Sequence, residues 1–201
     1  MIKLSSIIVL VITFGLSAIY YKIDSEYRDR LRITRWDVVG ILLIAAVSEF
    51  TVTNVVIDSI MIGYLLFESL VDLKIKYVYD IISYIVIVIN IVLVVIHSDN
   101  LDSIGVYNYL MIPLFLLMVV MSRMRMIGFG DVIVYLAIAV YLVHDSIEPL
   151  FNITACILIA NALFASVNLL KLFLSKVRDK HNPLTVYIMI GFIGIKFLGI
   201  A

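Results

Sequence analysis

Apolar residues form eight long runs along the chain, separated by short polar segments. A helix needs about 20 mostly apolar residues to cross the hydrocarbon core of a bilayer, and several of these runs approach that length. The pattern therefore predicts an all-α, polytopic membrane protein with about eight transmembrane helices. The predicted helices cover residues 3–21, 38–53, 55–71, 79–97, 105–122, 132–143, 150–174 and 184–201.

The second and third runs are separated by only a few polar residues, so they can form either two short helices or one kinked helix. Cytoplasmic loops carry the excess of Lys and Arg, and this rule favours a hairpin that turns near Thr51–Asn54. With two helices, thirteen of the fifteen basic residues fall on one side, whereas merging them would place the basic segment Lys22–Arg35 on the other side. We therefore predict that the N-terminus is outside and that the basic loops are cytoplasmic.

Composition agrees with a membrane protein that works in a lipid bilayer. Of 201 residues, 64% are hydrophobic and 15% charged, and the mean hydropathy is +1.15. Soluble domains have about 45–50% apolar and 25% charged residues. The net charge is zero, which gives no electrostatic ground for a nucleic-acid partner. The single cysteine, Cys156, lies inside an apolar run, so we expect a core residue and neither a disulfide framework nor a cysteine metal site.

The sequence Gly128-Phe129-Gly130-Asp131 opens the sixth apolar run. A charged side chain at membrane depth costs about 2.5–3.5 kcal/mol, which makes Asp131 a candidate functional residue. Asp72 ends the third run and Asp80 begins the fourth, so all three acidic residues share the predicted cytoplasmic face. Two carboxylates in a partly desolvated pocket cannot both stay ionised, and such a pair can act as base and acid on a water molecule. This is aspartic-protease chemistry, which uses no metal and no cofactor.

Asp72 and Asp80, eight positions apart, together with Gly128–Asp131, resemble the two signature motifs of the type IV prepilin and archaeal preflagellin peptidases, which are Gly-x-Gly-Asp membrane aspartic proteases. The resemblance implies that Asp72 and Asp131 are the catalytic pair. The chain departs from the family at Tyr79, where a proline is often found, and Asn182-Pro183-Leu184 is similar to the family's proline-bearing element before the last helix.

The resemblance covers residues 55–201, which it implies are a six-helix, membrane-embedded aspartic peptidase core. Residues 1–54 are then an N-terminal helical extension with a short cytoplasmic polar segment. The implied activity is removal of the short basic leader peptides of archaellin and type IV pilin-like precursors at the cytoplasmic membrane face. The segment Lys22–Asp37 lacks the cysteines found there in bacterial members, so the resemblance implies peptidase activity without methyltransferase activity. The implied partners are precursors with a basic leader and a hydrophobic helix.

Other residues near the predicted pair could act on the substrate or on the pair itself. The flexible backbone of Gly128 and Gly130, on either side of Phe129, would let an extended substrate pass close to Asp131. Glu68 lies one helical turn before Asp72 and could repel its charge, bind a basic leader residue or simply reach the cytoplasmic interface. Lys74 could orient the Asp72 carboxylate or serve only as a topology signal.

Two other functions stay open from the sequence. The Tyr79-Asp80 dipeptide and the Gly-x-Gly-Asp motif also resemble the presenilin and signal-peptide-peptidase group, in which the catalytic pair would be Asp80 and Asp131. A small ion-coupled transporter would instead use acidic residues spread along the bilayer as a relay. The candidates for such a relay are Glu49, Asp58 and Glu68.

Overall fold

The structure is a computed structural model that describes residues 3–23, 33–75, 80–96, 109–145, 148–175 and 183–199. Within these ranges it contains eight α-helices and no strand, which confirms the all-α prediction. The helices are α1 (Leu4–Ile23), α2 (Arg35–Thr51), α3 (Val55–Ile75), α4 (Asp80–Ile96), α5 (Met111–Arg123), α6 (Phe129–Asp145), α7 (Pro149–Ser175) and α8 (Thr185–Phe197).

The second and third apolar runs are two helices, as the charge pattern predicted. α2 ends at Thr51 and α3 begins at Val55. Asp58, in the first turn of α3, accepts hydrogen bonds on Oδ2 from the backbone N–H groups of Thr53 at 2.7 Å and Asn54 at 2.9 Å. These bonds satisfy donors at a helix start that have no partner within the helix, so the Asp58 carboxylate holds the turn between the two helices.

α2 and α6 begin several residues before their apolar runs. α2 begins at Arg35 because Thr34 and Asp37 form a capping box, in which each side chain accepts a hydrogen bond from the other residue's backbone N–H. Trp36, in this first turn, is 83% exposed. α6 begins at Phe129, so Phe129, Gly130 and Asp131 of the Gly-x-Gly-Asp motif lie in its first turn. First turns are often polar or glycine-containing, which is why the hydrophobic pattern alone misses them.

α3 and α6 form the centre of the helical bundle. Both are buried around most of their circumference, as expected for helices that are apolar on all sides. α1, α2 and α8 pack against α3, whereas α4, α5 and α7 pack against α6. α8 contacts α3, α6 and α7, and this position lets one helix reach the side chains of both central helices.

Small residues bring two of these helix pairs close together. A Cβ atom on Gly63 would lie 2.8 Å from Cβ of Ile12, and one on Gly191 would lie 2.9 Å from the carbonyl oxygen of Cys156. Glycine at these positions therefore lets α1 approach α3 and α7 approach α8, as small residues do in membrane helix pairs. Cys156 is fully buried, as predicted.

Helix length and composition support membrane crossing directly for only two helices. Leu4–Lys22 and Pro149–Lys171 are long and apolar enough to span a bilayer. Among the described residues, four other apolar helices have 10–17 residues, and α3 has 21 residues but carries Asp58, Glu68 and Asp72. The fold class established here is therefore all-α, and eight spanning helices stay a prediction.

A buried ion pair and a tyrosine join α3, α6 and α8 at one end of the bundle. Lys196 Nζ lies 3.4 Å from Asp58 Oδ2, and both side chains are fully buried. The Tyr141 hydroxyl donates to Asp58 Oδ1, and the Lys196 ammonium lies 5.4 Å from the centre of the Tyr141 ring. Asp58, a candidate for the transporter relay, is therefore an interior residue that is paired with Lys196.

Candidate functional site

Asp72 and Asp131 lie at the other end of the bundle and contact the same residue, Thr185. The Thr185 backbone N–H donates to Asp72 Oδ2 at 3.1 Å, and the Thr185 hydroxyl donates to Asp131 Oδ1 at 3.3 Å. Asp72 and Thr185 are buried, and Asp131 is half-buried. Three residues far apart along the chain thus form one compact polar cluster, which we call the aspartate pair with Thr185.

Asp72 reaches Thr185 because α3 ends where α8 begins. Thr185 is the first residue of α8, and the N-cap residue Leu184 provides no side-chain cap. The N–H groups of a first helical turn lack partners within their own helix, and Asp72 from α3 supplies an acceptor for one of them. Ser69, one turn earlier on α3, donates to the Thr185 carbonyl oxygen at 3.3 Å. α3 therefore holds the Thr185 backbone through both its N–H and its C=O.

Asp131 is the third residue of α6, where acidic side chains are favourable. Its carboxylate also accepts a hydrogen bond from the backbone N–H of Gly128, just before the helix. A side chain at the third helical position commonly reaches back to the cap residue in this way. The start of α6 and the start of α8 are therefore both directed at the carboxylates, and their partial positive charge favours a negative charge there.

The chain enters this site through a tight C-cap at the end of α5. Arg125 has φ +61°, and its N–H donates to the Ser122 carbonyl at 2.9 Å. The N–H of Met126 donates to the Met121 carbonyl at 3.0 Å. This pair of bonds is the Schellman arrangement, in which glycine is the usual residue with positive φ. The turn directs the chain into Gly128 and hence fixes the start of α6.

Because both carboxylates hydrogen-bond to Thr185, their charges lie near each other. Like charges in one partly buried pocket disfavour the doubly ionised state, and such a pair can hold one proton between its members. The surrounding donors stabilise the charge that remains. A half-ionised pair of this kind can take a proton from one group and give a proton to another in the same step.

Glycine is needed at position 128 for a different reason from the one expected from the sequence. A Cβ atom at this position would lie 2.7 Å from Asp131 Oδ2, so the absence of a side chain makes room for the Asp131 carboxylate itself. Gly128 does not have positive φ, and flexibility of its backbone is therefore not what the conformation requires.

Gly128→Ala should displace the Asp131 carboxylate from Thr185 and leave the fold intact, because the clashing atom is the end of a side chain. If the pair is catalytic, we expect activity to fall by about 100-fold, the typical cost of a 1 Å misplacement. Turnover and thermal unfolding of the purified variant check this. Gly40→Ala is the matched control, since a Cβ there meets no atom within 4 Å. Equal activity of the two variants would contradict the displacement.

Glu68 and Lys74 each contact a residue other than Asp72. Glu68 is fully buried and accepts a hydrogen bond from Ser83 Oγ on α4 at 3.4 Å, so of the three roles left open for it, simple exposure at the cytoplasmic interface is wrong. Lys74 forms an ion pair with Asp37 at 2.6 Å. Burial alone would raise the pKa of Asp37, but hydrogen bonds from Lys74 and Thr34 outweigh it and hold that pKa below its usual value. Lys74 thus ties α2 to α3.

Of the remaining predicted residues, Phe129 and Gly130 lie directly before Asp131 at the start of α6. Phe129 is exposed and Gly130 half-buried in the first turn of α6. Asp80 begins α4, but its side chain and residues 76–79 lie outside the described part of the chain, as does Asn182. Pro183 and Leu184 directly precede α8, so the proline-bearing element leads straight into Thr185.

Thr185 is the residue of this site that the sequence did not single out. A threonine between a proline element and an apolar run is an ordinary helix-start signal, and nothing local indicates that its hydroxyl meets Asp131, 54 positions away. The available signal was its place directly after Asn182-Pro183-Leu184. Its place after this motif, together with the predicted membrane face that it shares with the Asp residues, could have marked Thr185 as a candidate.

Among the described residues, no three His, Cys, Asp or Glu side chains are grouped so that they could hold a metal ion. No protein-family model, curated protein or solved structure matches this chain. The geometry of the aspartate pair with Thr185 is therefore the basis on which function can be argued.

Proposed function

We propose that this protein is a membrane aspartic endopeptidase that cleaves short basic leader peptides from archaellin-like or type IV pilin-like precursors, without methyltransferase activity. The observation that carries the proposal is the convergence of Asp72 and Asp131 on Thr185. The spacing of the Asp residues and the Gly-x-Gly-Asp motif gives the resemblance that names the substrate class.

The proposed reaction needs only the two carboxylates and water. The ionised carboxylate takes a proton from a water molecule whose oxygen bonds to the scissile carbonyl carbon, while the protonated carboxylate gives its proton to the carbonyl oxygen. The tetrahedral intermediate then returns that proton, the C–N bond breaks, and the proton taken from water passes to the leaving nitrogen. The products are a carboxylic acid and an amine, so atoms and charges balance.

The outer surface of the bundle supports a bilayer setting. The outward face of α4 is apolar over its length, with large side chains that are about half exposed or more. Contiguous apolar surface of this extent marks contact with protein or lipid. The side chains concerned are Ile81, Ile85, Val88, Ile89, Val92, Val95 and Ile96.

The position of the pair suits a substrate that is cut just before a membrane helix. Asp72 is at the last turn of α3 and Asp131 at the first turn of α6, so the site is at an end of the bundle. Gly128 and Phe129 beside Asp131 are exposed. The apolar helix of a precursor could stay in the bilayer while its leader bond reaches the carboxylates.

Cleavage of a candidate precursor by purified protein in proteoliposomes tests the proposal. The substrate is a peptide with a basic leader followed by an apolar helix, and mass spectrometry locates the cut. We expect one cut at the leader boundary. A substrate whose leader lysines are replaced by glutamate is the control and should be cut poorly. Absence of cleavage across a set of such precursors would overturn the proposal.

The presenilin-like alternative uses Asp80 in place of Asp72 as the first member of the pair. Among the side chains that the structure describes, Asp72 is the carboxylate that shares Thr185 with Asp131, which favours the leader peptidase. The transporter alternative would use Asp58 in a relay, but this carboxylate already binds Lys196 and Tyr141. An ion-flux measurement on the same proteoliposomes addresses that alternative.

The proposed orientation predicts which loops face the cytoplasm. In a Cys156→Ala background, a single cysteine at exposed Met124 should react with an impermeant maleimide only after cells are opened, whereas one at exposed Asn54 should react in intact cells. Met124 follows α5 at the end that holds the aspartate pair, and Asn54 precedes α3 at the other end. Labelling of both positions in intact cells would contradict the orientation.

A further inference from the structure

We propose that the Thr185 hydroxyl is a positioning group that links the two catalytic carboxyls and carries the hydrogen bonding between them while they share one proton. This inference rests on the proposed peptidase function and adds a residue that the aspartate motifs do not contain. Its basis is the set of contacts that Thr185 makes with α3 and α6.

Each carboxylate has one donor that cannot change direction. For Asp72 it is the backbone N–H of Thr185, and for Asp131 it is the backbone N–H of Gly128. A backbone N–H can only donate. These two bonds therefore hold the carboxylates in place whatever the location of the shared proton.

The Thr185 hydroxyl is different because it can donate and accept at once. It donates to Asp131 Oδ1 at 3.3 Å, and the backbone N–H of the same residue donates to Asp72 Oδ2 at 3.1 Å, so the hydroxyl belongs to the one residue that contacts both carboxylates. If Asp72 holds the proton, its O–H can donate to the hydroxyl oxygen while the hydroxyl donates to ionised Asp131. If Asp131 holds the proton, both bonds reverse. One hydroxyl thus matches both protonation states without moving the carboxylates.

The backbone contacts of Thr185 make this role separable from folding. Asp72 and Ser69 hold its N–H and C=O, and neither bond uses the side chain. Thr185→Val keeps both backbone bonds and nearly the same shape but removes the hydroxyl. Thr185→Ser keeps the hydroxyl and removes only a methyl group.

The test compares these two variants in the leader-cleavage assay, with circular dichroism and thermal unfolding as folding checks. We expect Thr185→Val to lower kcat about 10- to 100-fold, the range expected for a lost hydrogen bond to a charged group, with KM changed less than threefold. We expect Thr185→Ser to restore kcat to within about threefold of the original protein. The effect falls on kcat because the hydroxyl contacts the reacting carboxyls.

Thr13→Val is the matched control. Thr13 is also a fully buried threonine whose hydroxyl joins two helices, through the carbonyl oxygens of Val9 and Gly63, but it lies away from the pair. We expect its kcat to stay near that of the original protein.

The outcomes separate this inference from the function on which it rests. If the original protein cleaves the leader and Thr185→Val matches it in kcat, the positioning role is overturned and the peptidase stands. If Thr185→Val and Thr185→Ser lose kcat equally while folded, the methyl group is what matters and the role is also overturned. If the original protein does not cleave any leader substrate, the proposed function itself fails.

Discussion

Asp72→Asn and Asp131→Asn should each abolish leader cleavage, lowering kcat by about 10³-fold or more. General acid–base groups contribute about 10²- to 10⁴-fold, and here each carboxyl is expected to serve twice, once in each direction of proton transfer. Asparagine keeps the size and can still accept from the Thr185 donors, so the fold should persist. The measurement is single-turnover cleavage of the leader peptide, with unfolding temperature recorded for each variant.

Asp80→Asn is the comparison that decides between the two protease readings. The leader-peptidase reading requires that this variant keep measurable cleavage, whereas the presenilin-like reading requires that it be as inactive as Asp131→Asn and that Asp72→Asn retain activity. Full activity of either Asp72→Asn or Asp131→Asn in a folded protein would contradict the pair described here. Because all three variants make the same Asp-to-Asn change, a difference in activity among them reflects the position of the residue and not the kind of substitution.

The sequence predicted the helices of this fold well because each one is marked by its own apolar run. The break between α2 and α3 was predicted from charge, since only two helices kept the basic loops on one side. That rule also predicted one shared face for Asp72 and Asp131, and in the structure both carboxylates bond to Thr185. The distribution of basic loops thus predicted that two residues distant along the chain lie on the same side, which the local hydrophobic period cannot do.

Side-chain environments were harder to predict. One role left open for Glu68 was to reach an interface, because it lies near the end of its run, but α3 is a central helix and the residue is fully buried. Hydropathy does not distinguish a helix surrounded by other helices from one surrounded by lipid, since both are apolar on all sides. Hydropathy also says nothing about the role of Gly128. That role depends on the position of the Asp131 carboxylate, which occupies the space that a side chain at residue 128 would need.

The contacts of α8 were not predictable from local pattern at all. Its first residue meets Asp72, 113 positions away, and its lysine meets Asp58 at the opposite end. At a rise of 1.5 Å per residue, Asp58 and Asp72 are about 21 Å apart along α3. One helix therefore completes two polar clusters at the two ends of α3, and this pairing depends on the packing of the whole bundle.

The cluster at the far end leads to the second large effect, which concerns stability. Removing one partner of a buried ion pair leaves an uncompensated charge and costs about 3–5 kcal/mol. Lys196 and Asp58 are both fully buried, so Lys196→Met and Asp58→Asn should each lower the free energy of unfolding by that amount. Unfolding in mixed detergent micelles, followed by circular dichroism, measures it.

The double variant Asp58→Asn/Lys196→Met distinguishes an unpaired charge from a lost contact. It removes both charges, and asparagine can still accept from the backbone at the start of α3, so most of the lost stability should return, as it does when whole buried pairs are replaced by neutral residues. Lys74→Met, in the partly exposed pair with Asp37, is the control and should cost about 1 kcal/mol. If the single losses simply added in the double variant, the two residues would be stabilising the bundle independently, and the ion pair would not be what joins α3 to α8.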